Sequence, residues 1–190
     1  MDLELSGQSI IVTGGSSGIG LETARLLLSE RARVTICGRD PDRLAAAEAD
    51  LDAADLHVVS ADVRDAAEAA GVVTAALRHG TRLDGIAAVA GQGRHGGLLD
   101  LDPSVVTAEV SDKLLGFLNV VRPAVSALTG TAGRIVGLTA PSAARPDPPR
   151  GAIGVGRAAL ANALDALAVE LAPSGIRVNA VGVGLIDTPR

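Results

Sequence analysis

The chain has 190 residues, 47% of them hydrophobic and 21% charged, with a formal net charge of −5 at pH 7, a length that suits one domain, 1–190, and leaves little room for two. It contains no Tyr, no Trp and one Phe, which excludes a tyrosine phenol as acid or base and speaks against single-stranded nucleic-acid binding on stacked aromatics. The acidic balance, with sixteen Arg, a single Lys (Lys113) and no basic run, speaks against a duplex-binding surface, while one cysteine, Cys37, excludes an intramolecular disulfide framework and a cysteine-based zinc cluster, so no metal site is expected.

The start, MDLELSGQSI, has no charged region followed by an apolar stretch, so no signal peptide is expected. No apolar run approaches the roughly 18 to 20 residues that span a bilayer, and a cytoplasmic protein with no membrane partner is expected. Short apolar runs then alternate with Ala/Leu-rich stretches. The runs are Ser9 to Thr13, Val34 to Cys37, Leu56 to Ser60, Gly85 to Val89, Arg134 to Leu138 and Ile176 to Val181. Each is nearly continuous in apolar character, as expected for strands buried on both faces of a parallel sheet. Helices are predicted over Gly18 to Glu30, Pro41 to Leu51, Ala66 to Leu77, Pro103 to Leu128 and Gly154 to Leu171. Pro41 and Pro103, each behind an Asp, suit first helical positions. Six strands and five crossovers predict an α/β fold: a Rossmann-like, doubly wound parallel sheet with helices on both faces.

Two loops stand out in chain order. Thr13-Gly14-Gly15-Ser16-Ser17-Gly18-Ile19-Gly20 follows the first strand and opens a helix. Glycines there permit positive φ and let backbone N–H groups approach a pyrophosphate at the helix N-terminus. Later, Ala140 to Gly151 carries four prolines and cannot be helix or central strand. It is expected as a surface loop over the carboxyl edge of the sheet, where ligands bind in open α/β folds.

The TGxxxGxG spacing resembles the short-chain dehydrogenase/reductase family. The likeness continues through Ala61-Asp62-Val63, placed where that family sets an aspartate against adenine, and through Ala90-Gly91, the end of its Asn-Asn-Ala-Gly motif. Ala168 to Pro173 and Gly175 to Val181 look like its fifth helix and sixth strand, and Gly184 to Thr188 like its PGxxxT segment with Val183 replacing proline. The resemblance implies a dinucleotide held by Gly14, Ser16, Ser17, Gly18, Ile19, Gly20, Asp62, Val63, Ala90, Gly91 and Thr188. At the end of the second strand Gly38 stands where users of NAD carry an acid, and Arg39 follows. An arginine there pairs with a 2′-phosphate, so NADP(H) is implied over NAD(H).

The family's catalytic Ser, Tyr, Lys and Asn fall here on Ala140, Ile153, Arg157 and Lys113. All four have changed. Ile153 and Ala140 carry no proton, so acid–base assistance worth about 10²–10⁴ in rate is missing. Arg157 keeps the charge and suits a ribose, but a guanidinium is a poor base. Three candidates remain for chemistry. Lys113 on the fourth helix is either a desolvated base on the pocket side or a structural lysine paired with an acid. His95, in the flexible Gly91 to Gly97 loop, titrates in the right range for an acid. Thr139 can orient a carbonyl in place of the serine. Arg94, Arg145 and Arg150 at the mouth suit either an acidic substrate or plain solvation, and His57 and His79 are expected on the surface.

The family continues some tens of residues beyond the Thr188 region. The sixth strand is therefore expected as an apolar sheet edge, which invites pairing with another chain and a homo-oligomer. Three functional readings follow. One is an NADP(H)-binding oxidoreductase acting on a carbonyl or hydroxyl compound by a non-standard mechanism. Another is a repurposed cyclase, isomerase or lyase, and the third a non-catalytic member that binds nucleotide or a protein partner. The small-molecule substrate is open in all three.

Overall fold

The computed structural model describes residues 3–188. Its strands are β1 (Ser9–Thr13), β2 (Arg33–Gly38), β3 (Leu56–Ser60), β4 (Gly85–Ala88), β5 (Arg134–Thr139) and β6 (Arg177–Gly182). They form one sheet in the order β3-β2-β1-β4-β5-β6, every pair parallel. Side chains alternate across it: Ile10, Val12, Val34 and Ile36 enter one core, and Ile11 and Cys37 enter the other. That period of two is the pleat itself, and both faces are covered, which is why the strands read as continuous apolar runs.

Helices α1 (Gly18–Ser29) and α2 (Pro41–Leu51) cover the first face with Ala24, Leu44 and Ala47. Helices α3 (Ala66–Gly80), α5 (Gly116–Thr129) and α6 (Gly151–Leu171) cover the second with Val72, Val73, Phe117, Val120, Leu160 and Leu164. Asp40, Asp65 and Asp102 cap α2, α3 and α4 (Pro103–Val110) by accepting first-turn N–H groups at 2.8–3.1 Å. Each cap satisfies donors that a helix start leaves free.

Several elements depart from the sequence reading. Helix α3 runs to Gly80, three residues past its expected end at Leu77. The stretch expected as one helix over Pro103 to Leu128 is α4, a π-helical turn at Ser111–Leu115, and α5. The four-proline segment holds a short 3₁₀ turn at Pro141–Ala143, and α6 begins at Gly151, three residues before the expected start at Gly154. The turn that starts it forms directly after the prolines, with Arg150 N–H on the Asp147 carbonyl at 2.8 Å and Gly151 N–H on that of Pro148 at 3.2 Å. Finally, α6 with its following turn, Gly151–Ser174, is the one helix among the described residues long and apolar enough to cross a membrane, where none was expected. It lies against the sheet with Leu160, Leu164 and Leu171 buried.

Strand order reverses between β1 and β4, the point where connections leave to opposite sides of the sheet. Beyond the carboxyl ends of these strands a crevice opens. β6 is one edge of the sheet, and most of its residues are exposed.

Candidate functional site

The crevice is an open cleft of about 1050 Å³. Its floor is the turn from β1 into α1. Gly14 and Gly18 have φ of +69° and +53°, a region that penalises any side chain. A Cβ on Gly15 would lie 2.6 Å from the Ile36 side chain, and one on Gly20 would overlap the Gly14 carbonyl oxygen. The Gly14 and Gly15 N–H groups donate to the Cys37 carbonyl at 2.9 and 3.2 Å, which pins the turn to β2. Thr13 Oγ1 accepts the N–H groups of Val89 and Ala90, both at 3.1 Å, which pins it to the end of β4. Ser17 caps α1 in extended geometry without a side-chain hydrogen bond, so no side chain competes for the first-turn N–H groups.

Every residue assigned from sequence to nucleotide binding lines this cleft, from Gly14 through Arg39, Asp62, Val63, Ala90, Gly91 and Arg157 to Thr188. Thr188 lies against Gly18, 3.4 Å from where a Cβ would stand. Arg39 is exposed at the end of β2. The Arg64 side chain grips the Asp62 carboxylate and, with Arg39 nearby, holds it below the usual carboxylate range. Asn119 on α5 donates to the carbonyls of Val63 and Arg64 at 3.1 and 2.9 Å, fixing the segment after β3. Sequence reasoning missed Asn119, although its place on the inward face of α5 was a signal.

At the other end, Ala140, Ile153, Arg157, Thr139 and His95 all line the cleft. Ile153 packs on Gly93, where an added Cβ would lie 2.8 Å from Ile153 Cδ1. Arg157 follows one turn later on α6 and donates to the Leu138 carbonyl. Its Nε is buried without a partner, and burial pushes the guanidinium below its ordinary value. Thr139 Oγ1 donates to the Val181 carbonyl at 3.4 Å. His95 is exposed at the rim.

Lys113 is elsewhere. Of the two readings open from sequence, a base on the pocket side or a structural lysine paired with an acid, the second is found: its side chain is fully covered and does not line the cleft. Its Nζ donates to Glu109 Oε2 and to the Gln92 carbonyl, the latter at 2.8 Å. Burial lowers its pKa while the Glu109 carboxylate pulls it back up. Glu109 also accepts the Arg94 N–H at 2.9 Å. Asp112 is shared by Arg94 and Arg64, each at 3.3 Å. A string of paired charges thus runs from Asp62 through Arg64, Asp112, Arg94 and Glu109 to Lys113, under the loop that follows β4. The i, i+4 spacing of Glu109 and Lys113 was the sequence signal for its inner end. Two arginines considered for an acidic substrate are part-exposed but ion-paired within the protein: Arg94 with Glu109 and Asp112, and Arg150 with Asp147 at 2.6 Å. Arg145 does not line the cleft. His57 and His79 are half-buried and stack on each other with ring centroids 5.4 Å apart.

The family model for short chain dehydrogenases matches residues 8–190. An uncharacterized oxidoreductase of Staphylococcus haemolyticus is 28% identical over 189 residues, covering 98% of this chain and 81% of the relative. Ipsdienol dehydrogenase of Ips pini is 31% identical over 203 residues, covering 100% and 78%. Among solved structures, a short chain oxidoreductase from Pseudomonas aeruginosa PAO1, described as containing an atypical catalytic center, superposes in its apo form with a TM-score of 0.94 at 34% identity. That match covers 99% of this chain and 73% of the other. The NADPH-bound form of that oxidoreductase gives 0.92 at 33% identity, covering 96% and 73%.

Proposed function

The chain belongs to the short chain dehydrogenase family, and from that premise we propose that its cleft takes NADP(H) and that the protein is an oxidoreductase acting on a carbonyl or hydroxyl compound without the family's tyrosine. The glycine turn carries this reading. Its backbone is pressed so tightly against Ile36, Ala90 and its own carbonyls that only a side-chain-free strand of atoms fits, and it leaves a helix N-terminus open toward the cleft. That is a cradle for a pyrophosphate. The related oxidoreductase with an atypical center that binds NADPH supports the same reading.

A bound nicotinamide dinucleotide would supply or accept a hydride. Ser16, Ser17, Gly18, Ile19 and Gly20 would hold its phosphates, Asp62 and Val63 its adenine, and Ala90 and Gly91 its middle. The unpartnered Nε of Arg157 is a donor suited to a ribose hydroxyl. Arg39, next to Gly38, would pair with a 2′-phosphate. Thr139 would orient a substrate oxygen by turning its hydroxyl away from the Val181 carbonyl, and His95 at the rim would deliver or take the proton that Ile153 and Ala140 cannot. Lys113 holds the loop after β4 instead of moving a proton.

Calorimetric titration with NADPH and NADH tests this. NADPH is expected to bind the more tightly. Arg39→Ala is expected to weaken NADPH by about tenfold or more, from the ~1.5–3 kcal/mol of a charged hydrogen bond, and to leave NADH unchanged. Equal losses for both would remove Arg39 from phosphate recognition, and no binding of either at millimolar concentration would refute the nucleotide reading. The aliphatic replacements at Ile153 and Ala140 favour a second reading, in which nucleotide binds without turnover. NADPH that binds but is never oxidised across a carbonyl panel would select it.

A further inference from the structure

Around the reacting end of the cleft, four elements meet. The end of β5 and the residue after it present Leu138 and Ala140 on either side of Thr139, α6 presents Ile153, and the segment after β6 presents Val183, Leu185 and Ile186. The Gly93 loop closes onto Ile153. These six side chains are all hydrocarbon. Val183 is placed beside β5 by its N–H on the Thr139 carbonyl at 3.1 Å. Leu185 and Ile186 are 85% and 56% exposed at the mouth, large apolar surface that water solvates poorly. The positive charges that would draw an anion here are spent: Arg94 on Glu109 and Asp112, Arg150 on Asp147, and Lys113 on Glu109. Of these three cations and Arg157, only Arg157 has no carboxylate partner among the described residues, and its buried, unpartnered Nε goes to the nucleotide's ribose.

We propose that this end of the cleft selects a neutral, hydrocarbon-rich carbonyl or hydroxyl compound over an anionic one, a specificity that rests on the cleft being an oxidoreductase site. Selectivity comes from covering Ile153, Val183, Leu185 and Ile186 with substrate carbon. Arg150, which also lines the cleft, is already neutralised by Asp147, so little net positive charge is left to repay the desolvation of a carboxylate.

The test is equilibrium binding to the full chain, with and without NADP+, read by saturation-transfer NMR or calorimetry and independent of turnover. The probes are the cycloalkanones from cyclopentanone to cyclooctanone, and a matched pair of equal size, heptan-2-one and 4-oxopentanoate. Affinity is expected to rise about fourfold per added methylene along the ring series, the worth of one buried CH₂. Heptan-2-one is expected to bind at least about tenfold more tightly than 4-oxopentanoate, the direction set by the cost of burying an unpaired carboxylate. Leu185→Asp, at an exposed position that folding does not need, is expected to flatten the ring series. A flat series in the unaltered chain, or a keto acid that binds as tightly as the ketone, overturns the proposal. The NADPH titration is run separately. Its failure refutes the nucleotide reading, and the ring series measured without nucleotide still decides this one.

Discussion

Lys113 shows how one side chain changes meaning once its neighbours are known. As the only lysine, on the helix that supplies the family's asparagine, it reads as a candidate base. In the fold it is wrapped by Glu109 and the Gln92 carbonyl, with Glu109 itself fully buried. A carboxylate with no access to water depends on its partners, so Lys113→Met should cost about 3–5 kcal/mol by leaving that charge half-answered. Adding Glu109→Gln should recover most of the loss, because removing both charges is close to neutral in a buried pair. Urea unfolding followed by circular dichroism measures both. A near-neutral single variant would show that the pair does not hold the loop. The residues that carry this role were only half legible: Glu109 and Lys113 share a helix face, but Arg94 and Arg64 join from 15 and 48 residues away, and nothing local announces such a meeting.

The π-helical turn between α4 and α5 is a feature of packing instead of local sequence. Ser111 to Leu115 contains no proline or glycine that would mark a break, so a single helix is the natural expectation there. What lies against the region is Gly156 of α6. A Cβ there would stand 2.7 Å from the Glu109 carbonyl oxygen and 3.1 Å from Lys113 Cδ. The two helices therefore touch backbone to backbone, at the point where the wider turn brings Asp112 and Lys113 both inward. Gly156→Ala should push α6 outward and cost about 1–3 kcal/mol, as overpacking does. It should also speed amide exchange at Gln92 and Arg94, the loop that Glu109 and Lys113 hold. Unchanged exchange with lowered stability would separate the helix contact from the loop. Strands were easier to read than this junction: β1 and β3 match their sequence bounds, β4 and β5 differ by one residue at one end, and β2 and β6 by one residue at each end, because an apolar run in a parallel sheet is sharply bounded.

Across the whole molecule, the nucleotide end of the cleft was legible because one continuous stretch, Gly14 to Gly20, makes most of it and Arg39 follows directly from the next strand. At the other end Thr139, Ala140, Ile153, Arg157 and His95 were legible through the family spacing and all line the cleft, but the apolar surroundings were not. That end is assembled from the ends of β5 and β6, the first turn of α6 and the loop after β4, and its apolar character appears only when Ile153, Val183 and Leu185 come together around one space. The nucleotide end gives the protein a built-in clock. Cys37, the only thiol in the chain, is fully buried and pushed up to about 12 by that burial. Its own carbonyl is the anchor of the glycine turn. A thiol reagent can reach it only when the packing around β2 opens, so the alkylation rate counts openings of this strand one molecule at a time, including those in which the turn parts from the Cys37 carbonyl. At NADPH one hundred times its Kd the count should slow about a hundredfold, the mass-action shift for a ligand that binds only the closed form. A rate indifferent to NADPH would mean that Cys37 is uncovered from the far side of the sheet.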